Sequence, residues 1–219
     1  MTVIAPRVEA PLPATMAHEP AQVAFSRRKR AFDILAASMA LLVFLPLLLV
    51  VGMAIWMESE GPVLFRQQRT GLHGKPFRIY KFRTMMVTED GAEIRQAVRG
   101  DSRVTPLGAL LRKLSVDELP QLLNVLKGEM SIVGPRPHAI AHDLVWGRRV
   151  PGYAARFRTR PGLTGEAQVH GYRGEVANDD GLFARIAADN AYIDNWTFTN
   201  DLSLVVRTIP LLLGDAKAF

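Results

Sequence analysis

Residues 27–57 read RRKRAFDILAASMALLVFLPLLLVVGMAIWM, and the architecture of the chain turns on this stretch. Four basic residues open it, Asp33 is its last charge, and the 24 residues from Ile34 to Met57 carry none. At 1.5 Å per residue that run reaches about 36 Å as a helix, enough for a hydrocarbon core of ~30 Å. No polar face interrupts it, so a membrane segment fits better than a buried core helix. Pro46 sits in the middle, where it deletes a helical hydrogen bond and favours a kink. Arg66, Arg69 and Lys75 follow the segment as the basic run precedes it. The positive-inside rule therefore asks for both ends in the cytoplasm. A Pro-broken helix that dips into one leaflet and returns satisfies both ends, and a straight, kinked span is the alternative. Ser26-Arg27-Arg28 hints at a twin-arginine signal, but Arg30 replaces the expected apolar residue and no small-x-small cleavage site follows. The segment reads as an anchor.

Upstream, residues 1–25 hold Pro6, Pro11, Pro13 and Pro20 and no aromatic before Phe25. Such a stretch cannot bury enough apolar surface to fold alone, so a disordered tail is expected. The anchor then occupies 26–59, and 60–219 form a basic globular domain. The 219 residues carry 27 Lys+Arg against 21 Asp+Glu, a net charge of +6 that favours partners bearing phosphate. Six of the 27 are lysines, leaving 21 arginines, which suit forked phosphate contacts. The absence of cysteine excludes disulfides, zinc thiolates, iron–sulfur clusters and Cys nucleophiles.

Within the domain, 62–67 and 77–82 read as two strands of a hairpin, with Gly71 and Gly74 marking the turn. Residues 85–103 are polar and weakly helical. Thr105-Pro106 opens a short helix through Leu114, as an N-cap followed by Pro. Ser115-Val116-Asp117-Glu118 matches a capping box, and the helix that follows runs Leu119–Lys127 and stops at Gly128. Prolines and glycines make 128–174 mostly loop. Residues 182–196 and 201–213 read as helices, whose apolar stripes suit either the core or a membrane surface.

The candidate chemistry lies where charge and backbone direction coincide. Asp117 and Glu118 stand at a predicted helix start, just after Arg112 and Lys113. Neighbouring helical positions point about 100° apart, so one carboxylate can face a phosphorus while the other holds Mg²⁺. Plain helix capping explains the same residues. Gly134-Pro135-Arg136-Pro137 and the run Arg156, Arg158, Arg160 before Pro161-Gly162 could clamp a diphosphate, or be scattered surface Arg. His138 and His142 have the i, i+4 spacing of zinc helices but lack the accompanying Glu and a third ligand. No P-loop or dinucleotide-binding fingerprint appears, and no nucleic-acid motif.

Several motifs in order resemble a known family. Lys29-Arg30-Ala31-Phe32-Asp33-Ile34 comes first, then the Pro-containing apolar run and Tyr80-Lys81-Phe82-Arg83-Thr84-Met85. Leu111 to Gln121 carries the Asp-Glu pair, and Ile132 to Pro137 and Arg160 to Gln168 complete the set. Over residues 27–213 the chain is similar to the bacterial sugar transferases, the monotopic polyprenyl-phosphate phosphoglycosyl transferases. The resemblance implies transfer of a sugar 1-phosphate from a UDP-sugar to undecaprenyl phosphate, releasing UMP, as the first membrane step of exopolysaccharide, capsule or other surface glycan synthesis. It implies Asp117 as the nucleophile that forms a covalent phospho-sugar, Glu118 as the Mg²⁺ ligand, and Arg112 as a phosphate-binding residue. Lys81, Arg83, Arg136 and Arg160 are implied as further substrate contacts. It also implies an α+β, mostly helical fold: a re-entrant membrane helix broken at Pro46, then a small basic catalytic domain with a short β-hairpin and amphipathic membrane-surface helices. The site would face the cytoplasm at the bacterial inner membrane, among its lipids. Leu45 stands where a Ser commonly precedes the proline, so the break rests on Pro46 alone. The segment from Gln168 to Glu175 looks most like members that use UDP-glucose, with UDP-galactose or an N-acetylated UDP-sugar as alternatives. An inactive scaffold of this fold, or a tethered binder of anionic lipid or nucleic acid, are the rival readings. The oligomeric state stays open, a homo-oligomer included.

Overall fold

The computed structural model describes residues 19–86, 101–172, 174 and 179–214. Most of the expected tail, the centre of the polar 85–103 stretch, Arg173 and Glu175 lie outside them. Within the tail's last residues, Gln22–Phe25 form a helical turn (α1) that buries Val23 against Val133, Tyr192, Ile193 and Leu204. Residues ahead of the boundary at 25 therefore take part in the fold, because Val23 finds in the domain the apolar partners its own segment lacks.

The apolar run forms α2, Arg27–Glu58, 32 residues capped by Ser26, whose side chain accepts from the Lys29 N–H at 3.2 Å. Only 11% of its most apolar window is buried, so it is not the core of this domain. Its buried positions fall in two groups with helical spacing: Lys29, Asp33 and Ala37 near one end, Val51 and Ile55 near the other. At the first end, Lys29 pairs with Asp201 at 2.7 Å, and Asp33 accepts from the Ser131 hydroxyl and the Ile132 N–H. At the other, Val51 and Ile55 pack on Phe82 and Leu111, and Arg83 donates to the Ser59 carbonyl at 2.6 Å. Both ends thus dock on the same domain. Leu42 to Leu47, on either side of Pro46, are all exposed.

Strands β1 (Leu64–Thr70) and β2 (Pro76–Phe82) form the expected hairpin, antiparallel with Phe65 opposite Lys81 and Arg69 opposite Phe77. Helix α3 (Pro106–Lys113) starts as expected, with the Thr105 hydroxyl accepting from the Gly108 N–H at 2.9 Å. Gly108 is required: a Cβ there would lie 2.1 Å from the Thr84 carbonyl oxygen. The next start differs from expectation. Ser115 adopts a left-handed backbone, φ 55°, and makes no side-chain cap, so the capping box does not form. A 3-10 turn, Val116–Gln121, carries Asp117 and Glu118, and α4 (Leu122–Lys127) continues to Gly128 at φ 81°.

Residues 128–174 are more ordered than their prolines and glycines lead one to expect. Strand β3 (Ser131–Val133) pairs in parallel with β4 (Gly162–Thr164). The glycines serve that pairing: a Cβ on Gly162 would meet the Gly134 nitrogen at 2.1 Å. Helix α5 (Ile140–Arg149), not anticipated, buries Trp146 in a cluster with Val150, Tyr153 and Phe157. Short α6 (Glu166–Val169) leads to the two expected C-terminal helices, α7 (Asp179–Asp194) and α8 (Phe198–Gly214). Helix α7 belongs to the core through Leu182, Ile186, Tyr192 and Ile193. Helix α8 buries Leu204 and Asp201 on one side and exposes Leu202, Val206 and Ile209 on another. The chain is mostly helical, with two small sheets.

Candidate active site

The 3-10 turn lies against β2, and one buried side chain sets their register. Asn124 accepts from the Tyr80 N–H at 3.0 Å and donates to the Arg78 carbonyl at 2.7 Å, locking α4 to the edge of β2. Lys81, one residue further, then meets Glu118 with Nζ 2.7 Å from Oε1. Arg136 arrives from the rigid Gly134-Pro135-Arg136-Pro137 turn after β3 and grips the same carboxylate from the other side. Its Nη2 donates to Oε1 at 2.6 Å and its Nη1 to Oε2 at 3.1 Å, the forked geometry that guanidinium favours. Asp117 is as buried as Glu118, yet carries no hydrogen bond to its carboxylate among the described residues.

The charges around Asp117 explain its state. Burial pushes its carboxyl above the usual range and Glu118 adds to the push, while Lys81, Arg112 and Arg136 pull the other way. Burial lowers Lys81 despite Glu118 beside it. Burial would lower Arg136 as well, but Glu118 reverses the sign and holds it above the ordinary arginine value. Among the described residues, Lys81, Arg112 and Arg136 thus face the two carboxylates. A surplus of positive charge around a carboxylate with no hydrogen bond suits a nucleophile that must approach a phosphate. Arg112 hangs from the end of α3, steadied by the Thr84 hydroxyl at 3.1 Å and the Met85 sulfur at 3.6 Å.

Two of the anticipated arginines stand elsewhere. Arg83 donates to the Ile55 and Ser59 carbonyls, closing the C-terminal end of α2. Arg160 donates to the Gly128 and Ala24 carbonyls, clamping α1 to the end of α4. Both bind protein backbone, and neither reaches Glu118. His138 and His142 form no metal centre, since no group of three or more metal-ligating side chains exists among the described residues. His138 Nδ1 instead sits 2.9 Å from Arg156 and 2.8 Å from the Tyr153 hydroxyl. Burial and the surrounding arginines, Arg156 first, drive His138 well below the ordinary imidazole value, so it is neutral.

Arg69 is the residue the sequence reading passed over. Alternation along the hairpin places Arg69, Gln67 and Phe65 on the same face as Lys81. That signal was present in the sequence, but the first strand, read as ending at Gln67, stopped short of it. Arg69 donates to the Pro137 carbonyl at 3.3 Å, next to Arg136.

Comparison with known proteins gives the family. The family model described as "Bacterial sugar transferase" matches residues 24–215. A UDP-glucose:undecaprenyl-phosphate glucose-1-phosphate transferase of Caulobacter vibrioides is 54% identical over 198 residues, covering 90% of this chain and 74% of that protein. The Escherichia coli protein of the same name is 45% identical over 181 residues, which span 83% of this chain but 39% of its own length. An exopolysaccharide production protein, PSS, of Rhizobium leguminosarum is 45% identical over 195 residues, 87% of this chain and 98% of its own. With the Asp-Glu turn, Lys81, Arg136 and the long apolar helix lying inside the matched span, the chain belongs to the bacterial sugar transferase family.

Proposed function

We propose that this chain transfers a sugar 1-phosphate from a UDP-sugar to undecaprenyl phosphate, releasing UMP, as an early membrane step in building an exopolysaccharide or other surface glycan. The observation that carries the reading is the buried Asp117 carboxylate, with no hydrogen bond among the described residues, beside a Glu118 held by Lys81 and Arg136. In the first half-reaction an Asp117 oxygen forms a bond to the β-phosphorus, and the bond from that phosphorus to UMP breaks. In the second, an oxygen of undecaprenyl phosphate attacks the same phosphorus, the bond to Asp117 breaks, and the carboxylate is restored. Because UMP leaves before the lipid reacts, one set of cations can serve both phosphates in turn. The names of the relatives support the acceptor and the donor class, and UDP-glucose is the first donor to test.

Glu118 and Asp117 offer the hard oxygen donors that Mg²⁺ takes, with substrate phosphates and water completing its shell. Bound there, the ion would neutralise charge on the diphosphate. Lys81 and Arg136 keep Glu118 oriented, and Lys81, Arg112 and Arg136 oppose the upward push of burial on Asp117.

The membrane geometry follows from α2. Its two ends dock on one domain while the apex around Pro46 is bare, which supports a helix entering and leaving by one face, and the basic residues on both sides favour the cytoplasmic face of the inner membrane. Leu202, Val206 and Ile209 of α8, spaced by helical turns and exposed, suit contact with the same surface. The decisive assay is UMP release from a panel of UDP-sugars with undecaprenyl phosphate, with and without Mg²⁺, in wild type and Asp117→Asn. Release with one sugar, abolished by the substitution and by chelation, supports the reaction, its donor, the role of Asp117 and the need for the ion. Folded protein that releases no UMP with any sugar overturns it in favour of an inactive scaffold.

A further inference from the structure

A second convergence of positive charge shares Arg136 with the dyad. Arg69 from β1, Arg156 from the turn before β4 and Arg185 from α7 surround the Arg136–His138 segment, and all four arginines act electrostatically on His138. Two of the four are satisfied. Arg136 is paired with Glu118, and Arg156 with Asp189 at 2.9 Å and with the Arg136 carbonyl at 2.6 Å. Arg69 and Arg185 pair with no carboxylate among the described residues. Each makes one hydrogen bond to a carbonyl, Arg69 to Pro137 at 3.3 Å and Arg185 to Gly174 at 2.6 Å. The Nε atoms of both are buried without a partner, and so is His138 Nε2.

The His138 tautomer follows from its neighbours. Arg156 can only donate, so Nδ1 must accept, and the proton of this neutral ring sits on Nε2. Three buried N–H donors on three elements therefore go unanswered. Burial, reinforced by Arg136, holds both Arg69 and Arg185 down at about 10, outweighing the pull of Asp143 and Glu118 on Arg69 and of Asp189 on Arg185. Orphaned buried donors are expensive in a folded protein and ask for an acceptor.

We propose that Arg69, Arg185 and His138 Nε2 form an anion subsite, joined to the Asp117–Glu118 turn through Arg136, that holds a substrate phosphate. This rests on the transferase reading above and adds to it which side chains carry the phosphate that is not being attacked. Two guanidinium forks and one ring N–H supply the donors a tetrahedral phosphate accepts. That phosphate belongs either to the nucleotide diphosphate or to the polyprenyl phosphate headgroup.

The test is equilibrium binding of UDP-glucose, undecaprenyl phosphate and inorganic pyrophosphate to the full chain in nanodiscs. The Asp117→Asn protein prevents turnover and serves as parent for added Arg69→Gln, Arg69→Lys, Arg185→Gln and Arg185→Lys. Each Gln variant should weaken pyrophosphate and at least one substrate by roughly tenfold or more, the usual loss of a charged hydrogen bond. Loss confined to UDP-glucose assigns the nucleotide diphosphate, loss confined to the lipid assigns its headgroup, and loss of both assigns a subsite used in turn. Unchanged binding of all three ligands by folded Gln variants overturns the proposal. Should a Gln variant fail to fold, its Lys counterpart decides, because Lys keeps the charge and loses the fork: weakened pyrophosphate binding is expected, and parental binding overturns the subsite. UMP release is measured in parallel with Asp117 restored. Wild type without turnover sinks the transferase reading, whereas turnover with Arg variants that bind like their parent removes the subsite alone.

Discussion

Two buried polar clusters sit back to back in this domain, and they differ in how completely they are satisfied. The cluster of Asp143, Tyr153, Arg156 and Asp189 is closed. Tyr153 donates to Asp143 at 2.5 Å, Thr70 donates to the other oxygen of Asp143 at 2.5 Å, and Arg156 pairs with Asp189. The 3-10 turn is not closed among the described residues: Glu118 accepts from Lys81 and Arg136, while the carboxylate of its neighbour Asp117 takes no hydrogen bond there. Both cost desolvation, but only the first recovers it within the protein. A saturated network supports a fold, and a carboxylate kept short of partners is available to a substrate.

That contrast can be broken by four measurements. The largest effect is expected from Asp117→Asn, which should lower UMP release by about a thousandfold or more while leaving the thermal midpoint near wild type. A large stability change would mean that Asp117 is structural after all. Arg156→Leu should do the reverse in kind. It leaves Asp189 buried and unpaired, and a loss of about 3–5 kcal/mol in unfolding free energy is expected from denaturant titration. Activity lost without such destabilisation would move Arg156 into the site.

A smaller cost, about 1–3 kcal/mol, is expected for Tyr153→Phe, which removes one donor to Asp143 and leaves its volume filled. No change would show that Thr70 alone satisfies Asp143. The smallest effect is a pH dependence. His138 is neutral when folded because its value is depressed, but protonates near 6.5 once unfolded. Its contribution is therefore complete above about pH 6.5 and is lost below it, with a slope of at most about 1.4 kcal/mol per pH unit. Subtracting the stability curve of His138→Asn from that of wild type should isolate this slope. A flat difference from pH 7 to 5 would place a charged imidazole in the folded protein.

Much of this was legible along the chain, element by element. The hairpin could be read because its apolar residues and turn glycines are local, and α3 because Thr105-Pro106 is a start signal that depends on no distant residue. Gly128 ended α4 where expected for the same reason. Helix α5 was missed because prolines and glycines on both sides of it suggested loop. Those glycines mark the close approach of β3 and β4, two segments about thirty residues apart in sequence. Ser115 shows the limit from the other side: the capping-box pattern is local and correct as a pattern, yet packing of the turn against β2 overrides it.

The site divides in the same way. Residue order alone marked the apolar segment around Pro46, and the family resemblance singled out Asp117, Glu118, Arg112 and Arg136, because each lies in a short motif that can be read within a few residues. Arg83 and Arg160 have the same composition and the same motif membership as Lys81 and Arg136, and nothing along the chain separates the two pairs. The fold does so. Arg83 meets the free carbonyls at the end of α2 and Arg160 meets those of Gly128 and Ala24, whereas Lys81 and Arg136 meet a carboxylate. A guanidinium is a fork of donors that binds whichever acceptor is brought within about 3 Å. Which acceptor that is depends on the pairing of strands and helices distant in sequence, and so is settled only when they pack.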